Sequence, residues 1–195
     1  MKPHILIIDG HPDPSAGRLV HALASAYQQG AEQAHHEVRV VRLADLTFPL
    51  LRSQSDYERG EPVEDVRQCQ HLMDWATHVV IFYPLWLGSM PAMLKALLEQ
   101  VLRPGFAFST QKLGRGQVKF MSRKSARIVV TMGMPGLLYR WYFRAHSLKS
   151  LQRNILGFVG FGRVRSTIIG SAGSLTRAQR EDWLHNVRNL GQAAA

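Results

Sequence analysis

Cysteine is almost missing from this chain: Cys69 is the only one in 195 residues. That excludes an intramolecular disulfide, a zinc ribbon and a C-x-x-C redox pair. Redox chemistry would need a cofactor, and the composition suits a reducing compartment, so a cytoplasmic location is expected. Long apolar runs are missing too. The opening run Ile5 to Ile8 stops at Asp9, short of the roughly 7 to 15 apolar residues of a secretory leader, so the mature chain is expected to start at residue 1. The richest stretch, 137 to 162, is broken by several Arg and Lys and does not approach the ~18 to 20 apolar residues that span a bilayer. A soluble or at most peripheral protein is expected. Acids are scarce in the second half, where none lies between Glu99 and Glu181. Residues 1–100 hold 8 Lys+Arg and 12 Asp+Glu, residues 101–195 hold 16 and 2, and the balances of −4 and +14 sum to the net +10. Such a surface attracts anions: nucleotide phosphates, acidic lipid or an acidic protein. Nucleic acid is not expected, because no helix-turn-helix, zinc-finger or RNP signature presents the basic residues to a groove.

What the chain does have is 46% hydrophobic residues, enough for one full core and too few for two, so residues 1–195 are expected to form one domain. No internal repeat or low-complexity tract interrupts it apart from Ala193 to Ala195. Short β-branched runs alternate with longer helical patterns, the signature of parallel β-α units. The runs mark strands over His4 to Asp9, Glu37 to Arg42, His78 to Tyr83, Arg127 to Met132 and Val164 to Ile169. Most are continuously apolar rather than alternating, as in strands covered on both faces. Helices are expected at about 16 to 34, 63 to 76, 91 to 102, 139 to 155 and 176 to 191. Pro91 suits a first helical turn; Met93, Leu94, Leu97, Leu98, Val101 and Leu102 then form one stripe, and Pro104-Gly105 stops it. Ser174 and Thr176 are candidate caps for the last helix. Five such units fit a doubly wound parallel sheet of order 2-1-3-4-5 with helices on both faces, whose ligand crevice lies at the carboxyl ends of strands 1, 3 and 4. The connections Leu43 to Pro62 and Arg103 to Ala126 exceed simple turns and read as lids or interface arms.

Function is therefore sought in three loops. The first, Gly10 to Arg18, leads into a helix whose free N–H groups would receive a phosphate beside the Ser15 hydroxyl, the Arg18 charge and His11. It contains neither G-x-x-x-x-G-K-[ST] nor G-x-G-x-x-G, so a plain Gly/Pro turn is the even alternative. The second, Tyr83 to Pro91, offers Pro84, Leu85, Trp86, Leu87 and Gly88 as a wall for a flat ring with a polar edge, or else Trp86 and Leu87 simply cover the sheet end. The third, Thr131-Met132-Gly133-Met134-Pro135-Gly136, again mixes glycine with free backbone groups. Most of the aromatic and cationic run beyond it, 137 to 146, reads as an amphipathic helix packing on the core or on a dimer partner. Tyr139 and His146 stand out by combining planar surface with hydrogen-bonding or titratable tips.

At these loops the sequence resembles the flavodoxin-like NAD(P)H dehydrogenase (quinone) family. The most specific piece is Tyr83-Pro84-Leu85-Trp86-Leu87-Gly88-Ser89-Met90-Pro91-Ala92-Met93-Leu94-Lys95, continued through Glu99 to Phe108, which is similar to the family's P-L-x-W/L-x-x-x-P-A-x-L-K…V-x-x-x-G-F-A-F signature. The resemblance implies a flavodoxin-like fold and a non-covalent flavin, FMN or FAD. Its phosphate would lie at Gly10 to Arg18, its ring along Pro84 to Gly88 and its pyrimidine edge at Thr131, Met132 and Gly133, the third loop running to Gly136. Tyr139 and His146 fall at or near positions where related reductases carry an active-site Tyr and His, which implies a catalytic role. Many members carry Ser-Phe-Asn inside the first helix where this chain has Ala16-Gly17-Arg18, and Thr-Thr-Gly-Gly where it has Thr-Met-Gly-Met. The implied activity is ping-pong: NAD(P)H delivers hydride, leaves, and a quinone-like acceptor takes its place. A homodimer is implied as well. Rival readings are a one-electron shuttle, disfavoured by the basic charge, a regulatory subunit contacting a membrane transporter, and a domain that has lost its cofactor.

Overall fold

The computed structural model describes residues 2–113 and 116–195. In chain order it runs through β1 (His4–Asp9), α1 (Leu19–Gln33), β2 (Glu37–Arg42), α2 (Gln54–Arg59), α3 (Glu64–Trp75), β3 (His78–Pro84) and α4 (Ala92–Val101). There follow β4 (Phe108–Leu113), β5 (Gly116–Lys119), β6 (Ser125–Thr131), α5 (Gly136–Trp141), α6 (His146–Lys149), α7 (Gly157–Val159), β7 (Val164–Ile169) and α8 (Arg177–Gln192). Five strands form one parallel sheet in the order β2-β1-β3-β6-β7, the expected doubly wound arrangement. Strand residues alternate between two cores, as the two-residue period of a strand requires. Leu6, Ile8, Val79, Ile81, Ile128 and Val130 face the layer of α3 and α4. Ile5, Ile7, Val80, Phe82 and Val129 face the layer of α1 and α8. In the central strands β1, β3 and β6 continuous apolar runs were the right sequence signal because both faces are covered, whereas the edge strand β2 carries Glu and Arg and is mostly exposed.

The expected strands 1, 2 and 5 coincide with β1, β2 and β7. The third gains Pro84, held by the Leu85 N–H donating to the Thr131 carbonyl at 2.7 Å. The fourth begins two residues earlier, at Ser125, and ends at Thr131 rather than Met132. The first helix starts at Leu19 rather than residue 16, because Asp13, Ser15 and Arg18 bond one another in the preceding loop. The single helix expected over 139–155 is corrected to a broken path. Arg144 and Ala145 both sit at φ 50 in the left-handed region, separating α5 from α6, and Ser150–Leu156 is π-helical. Neither residue is Gly or Pro, so no breaker announced the break. Thr176 caps α8 in a reciprocal capping box with Gln179, whereas Ser174 lies in a short 3-10 turn.

The two long connections acquire structure of their own. The first carries a 3-10 turn at Leu43–Asp45 and α2, and is tied down by Gln100 donating to the Pro49 carbonyl (2.6 Å) and Arg103 to the carbonyls of Asp56 (3.1 Å) and Gly60. The second holds the antiparallel pair β4-β5. Among the described residues no helix is long and apolar enough to cross a membrane.

Candidate functional site

The parallel sheet ends its β1, β3 and β6 strands along one carboxyl edge, and the three loops leave from there. They touch. The rings of His11 and Trp86 meet edge to face at 5.6 Å, and the Leu85 N–H donation to Thr131 joins the second loop to the third strand end. Gly10 anchors the first loop by donating to the Phe82 carbonyl at 2.7 Å; a Cβ here would lie 2.7 Å from that oxygen and 2.8 Å from Leu94, so only glycine fits.

The first loop is a closed polar network. Asp9, 3% exposed, accepts from the His11 N–H at 3.3 Å and lies 2.5 Å from Nδ1 of His21. His21 Nε2 is 2.9 Å from the Asp13 carbonyl. His11 Nδ1 accepts from the Asp13 N–H at 3.1 Å, which leaves the ring proton on Nε2. Burial, then the facing His21 and Arg18, push the His11 pKa below its ordinary value, so the ring is neutral at pH 7. The Asp13 carboxylate accepts from the Ser15 N–H (2.9 Å) and from Arg18 Nε (2.8 Å), and these contacts hold its pKa well below the usual carboxylate range. Ser15 and Arg18, both named from the sequence, are exposed, and the backbone N–H groups of Ala16 and Gly17 make no bond among the described residues. Beside this loop, between α1 and β2, a cavity of about 360 Å³ is lined by Asp9, Ala16, His21, Ser25, Gln28 and Arg42.

The second loop folds as a two-residue hairpin turn: Trp86 and Ser89 exchange backbone bonds of 2.8 and 3.0 Å, with Leu87 at φ 44 and Gly88 at φ 79. Two successive positive φ angles define a type I′ turn, in which glycine is at ease and leucine is not. Pro84 is buried and Leu85 partly so, while Trp86 is 48% exposed and Leu87 fully exposed at the tip. Trp86 and Leu87 therefore do not plug the sheet end. In the third loop Thr131 and Met132 are buried, Gly133 is exposed, and the N–H groups of Gly133 and Met134 are unpaired among the described residues.

Tyr139 and His146 are placed differently from the sequence expectation. The Tyr139 phenol is buried rather than facing a crevice: its oxygen lies 2.7 Å from the Ser147 hydroxyl and accepts from the Leu148 N–H at 3.1 Å. It supports the turn between α5 and α6. His146 is exposed at the start of α6, and among the described residues no hydrogen bond or ion pair joins its side chain to the three loops. The sequence reading missed Asp9, Asp13 and His21. A carboxylate ending a buried strand needs a partner, and that requirement was the available signal. A separate cavity of about 230 Å³, lined by Leu98, Leu102, Phe108 and Phe158 together with Lys95 and Glu99, shares no residue with the loops.

An uncharacterized NAD(P)H oxidoreductase of Haemophilus influenzae is 27% identical over 171 residues, 85% of this chain and 82% of that protein. An NAD(P)H:quinone oxidoreductase from Methanothermobacter marburgensis superposes with a TM-score of 0.80 at 24% identity, covering 98% of this chain and 96% of that one. An FMN-dependent NADH-azoreductase of Bacillus anthracis, solved in complex with FMN, superposes at 0.79 with 14% identity over 100% of both chains. These two structural likenesses show a shared fold. With a family model for the flavodoxin-like fold matching residues 3–190 and the sheet in the doubly wound order, the chain belongs to that flavodoxin-like family.

Proposed function

We propose that this chain is a flavin-dependent NAD(P)H oxidoreductase that reduces quinone-like small acceptors by a ping-pong route. The observation that carries the reading is the meeting of three loops at one sheet edge, His11 against Trp86 and Leu85 bonded to Thr131. The residues fit a flavin. Unpaired N–H groups at Ala16 and Gly17, the Ser15 hydroxyl, the Nε2–H of neutral His11 and the Arg18 charge suit a phosphate. The exposed Trp86 and Leu87 with Pro84, Leu85 and Gly88 suit the face of the ring, and the Gly133 and Met134 N–H groups, beside Thr131 and Met132, suit its polar edge. FMN is the favoured flavin, since it is the one bound in the azoreductase of the same fold.

When bound, the flavin supplies two-electron hydride acceptance and donation. The protein's own part is orientation. Loop N–H groups hold the polar edge and favour negative charge there, and the hairpin tip leaves one face for the nucleotide and then the acceptor. His146 is the proposed proton source, with Tyr139 positioning it by bracing the turn on which it sits. The relatives' NAD(P)H oxidoreductase and quinone oxidoreductase names agree with this assignment. A homodimer through α5 would cover Leu137, Trp141 and Tyr142, which are 72, 81 and 76% exposed.

The test is an absorbance spectrum after incubation with FMN or FAD and desalting, followed by anaerobic NADPH. Flavin bands that are retained and bleach support the reading; a protein that keeps no flavin overturns it.

A further inference from the structure

The buried pair Asp9–His21 is not explained by shape alone. The carboxylate is 5% exposed at its side chain and the imidazole 11%. The two ring nitrogens face Asp9 Oδ2 at 2.5 Å and the carbonyl oxygen of Asp13 at 2.9 Å. A carbonyl oxygen only accepts, and an ionised carboxylate only accepts. A neutral imidazole carries one N–H and could serve one of them; an imidazolium serves both. Were His21 neutral, either a buried carboxylate would lose its charge partner or the loop carbonyl would lose its donor.

From this geometry we propose that His21 is a protonated positioning residue of the first loop, and that its charge makes phosphate binding there dependent on pH. The inference rests on the flavin reading of that loop. His21 clamps Asp13 by its carbonyl, and Asp13 in turn fixes His11 through its N–H and both Ser15 and Arg18 through its carboxylate. One imidazolium thus sets three of the groups assigned to the phosphate. The charged and titratable groups around it are Asp9 on β1, His11, Asp13 and Arg18 in the loop, and Arg42 on β2 across the shared cavity; α1 itself contributes Ser25 and Gln28, which are neutral. His11, its ring centroid 5.3 Å away, has its pKa lowered by burial first and then by the facing His21. The sign follows directly. Loss of the His21 proton as pH rises removes positive charge and one of the two bonds, so phosphate binding weakens toward high pH.

Two measurements test this. Nitrogen-15 imidazole spectra of the flavin-free chain at pH 7 should show both His21 nitrogens protonated. Fluorescence titrations with FMN and with riboflavin, from about pH 7 to 9 where the FMN phosphate stays dianionic, should show FMN affinity falling while riboflavin affinity does not follow. His21→Gln should bind FMN about ten-fold more weakly at pH 7, as expected for loss of a charge-assisted contact, and lose the pH dependence. A neutral His21 at pH 7 overturns the inference, even with FMN retained. Equal pH dependence for FMN and riboflavin, or a His21→Gln chain that keeps the wild-type profile, also overturns it. A wild-type chain that retains no FMN overturns the cofactor reading and this dependence together, and is told apart from the former results by the titration itself.

Discussion

Leu87 sits where a leucine is least comfortable. It occupies the first central position of the Trp86–Ser89 turn at φ 44 and is fully exposed, so in the free chain it gains no burial in return. The left-handed conformation costs an ordinary residue ~1–2 kcal/mol. Asparagine tolerates it far better, so Leu87→Asn should recover about 1 kcal/mol, which raises Tm by roughly 2–4 °C at this chain length. Leu87→Gly should give less, because glycine's freedom in the unfolded state offsets about 0.5–1 kcal/mol. Ligand binding should move the other way. If the leucine covers ~40–60 Å² of an apolar ring, its loss costs about 1–1.5 kcal/mol at ~25 cal/mol per Å², or roughly ten-fold in Kd. The assays are thermal unfolding of the flavin-free chain by circular dichroism and FMN titration by fluorescence. A Leu87→Asn chain that melts lower than wild type would refute the strain argument. One that melts higher yet binds FMN equally well would show that the tip does not cover the ring.

Three further outcomes follow from other parts of the molecule. Burial, then Arg127, Arg165 and His36, push the His78 pKa from 6.5 down to about 4. The unfolded chain then takes up a proton that the folded chain refuses between these values. Stability present above pH 6.5 is therefore lost as pH falls toward 4, by up to ~3 kcal/mol, and urea unfolding at several pH values should show a flatter window for His78→Gln. Thr176→Ala removes the capping box of α8 and should cost about 1 kcal/mol, read as a Tm lower by roughly 2–4 °C. Trp141→Glu places a charge on the exposed face of α5 and should shift a dimer to monomer in sedimentation velocity; an unchanged sedimentation coefficient for a dimeric wild type would remove α5 from the interface.

How much was legible depended on how local the determining physics was. β1, β2 and β7 were read to the residue because each is rich in β-branched residues and lies between helix or turn signals, and nothing distant alters that. The break after α5 was not legible, since it depends on Arg144 and Ala145 adopting left-handed angles while the Tyr139 phenol, several residues upstream, secures the Leu148 N–H. The same bond explains why Tyr139 is buried: its polar tip satisfies backbone inside the fold instead of meeting solvent. Within the loops, His11, Ser15 and Arg18 were singled out because glycine, proline and a helix start flag that segment. Asp9 and His21 were passed over because their partnership joins a strand end to the first turn of a helix, a pairing visible only once the loop has folded.

The loops also differ in what keeps them in place, and that bears on how a ligand would meet them. Gly10 has no room to move, with the Phe82 carbonyl and the Leu94 side chain both within contact of where a Cβ would sit. The first loop is therefore locked to β3 and α4, and α4 begins where the second loop ends, at Pro91. The second loop is in turn bonded through Leu85 to the end of β6, and Met132 and Met134 bond to the segment after β7. The chain of contacts runs across the sheet edge without needing a ligand to complete it. Unpaired N–H groups held on such a frame need little ordering when a phosphate or a ring oxygen arrives, and the smaller that cost, the more of the interaction appears as affinity.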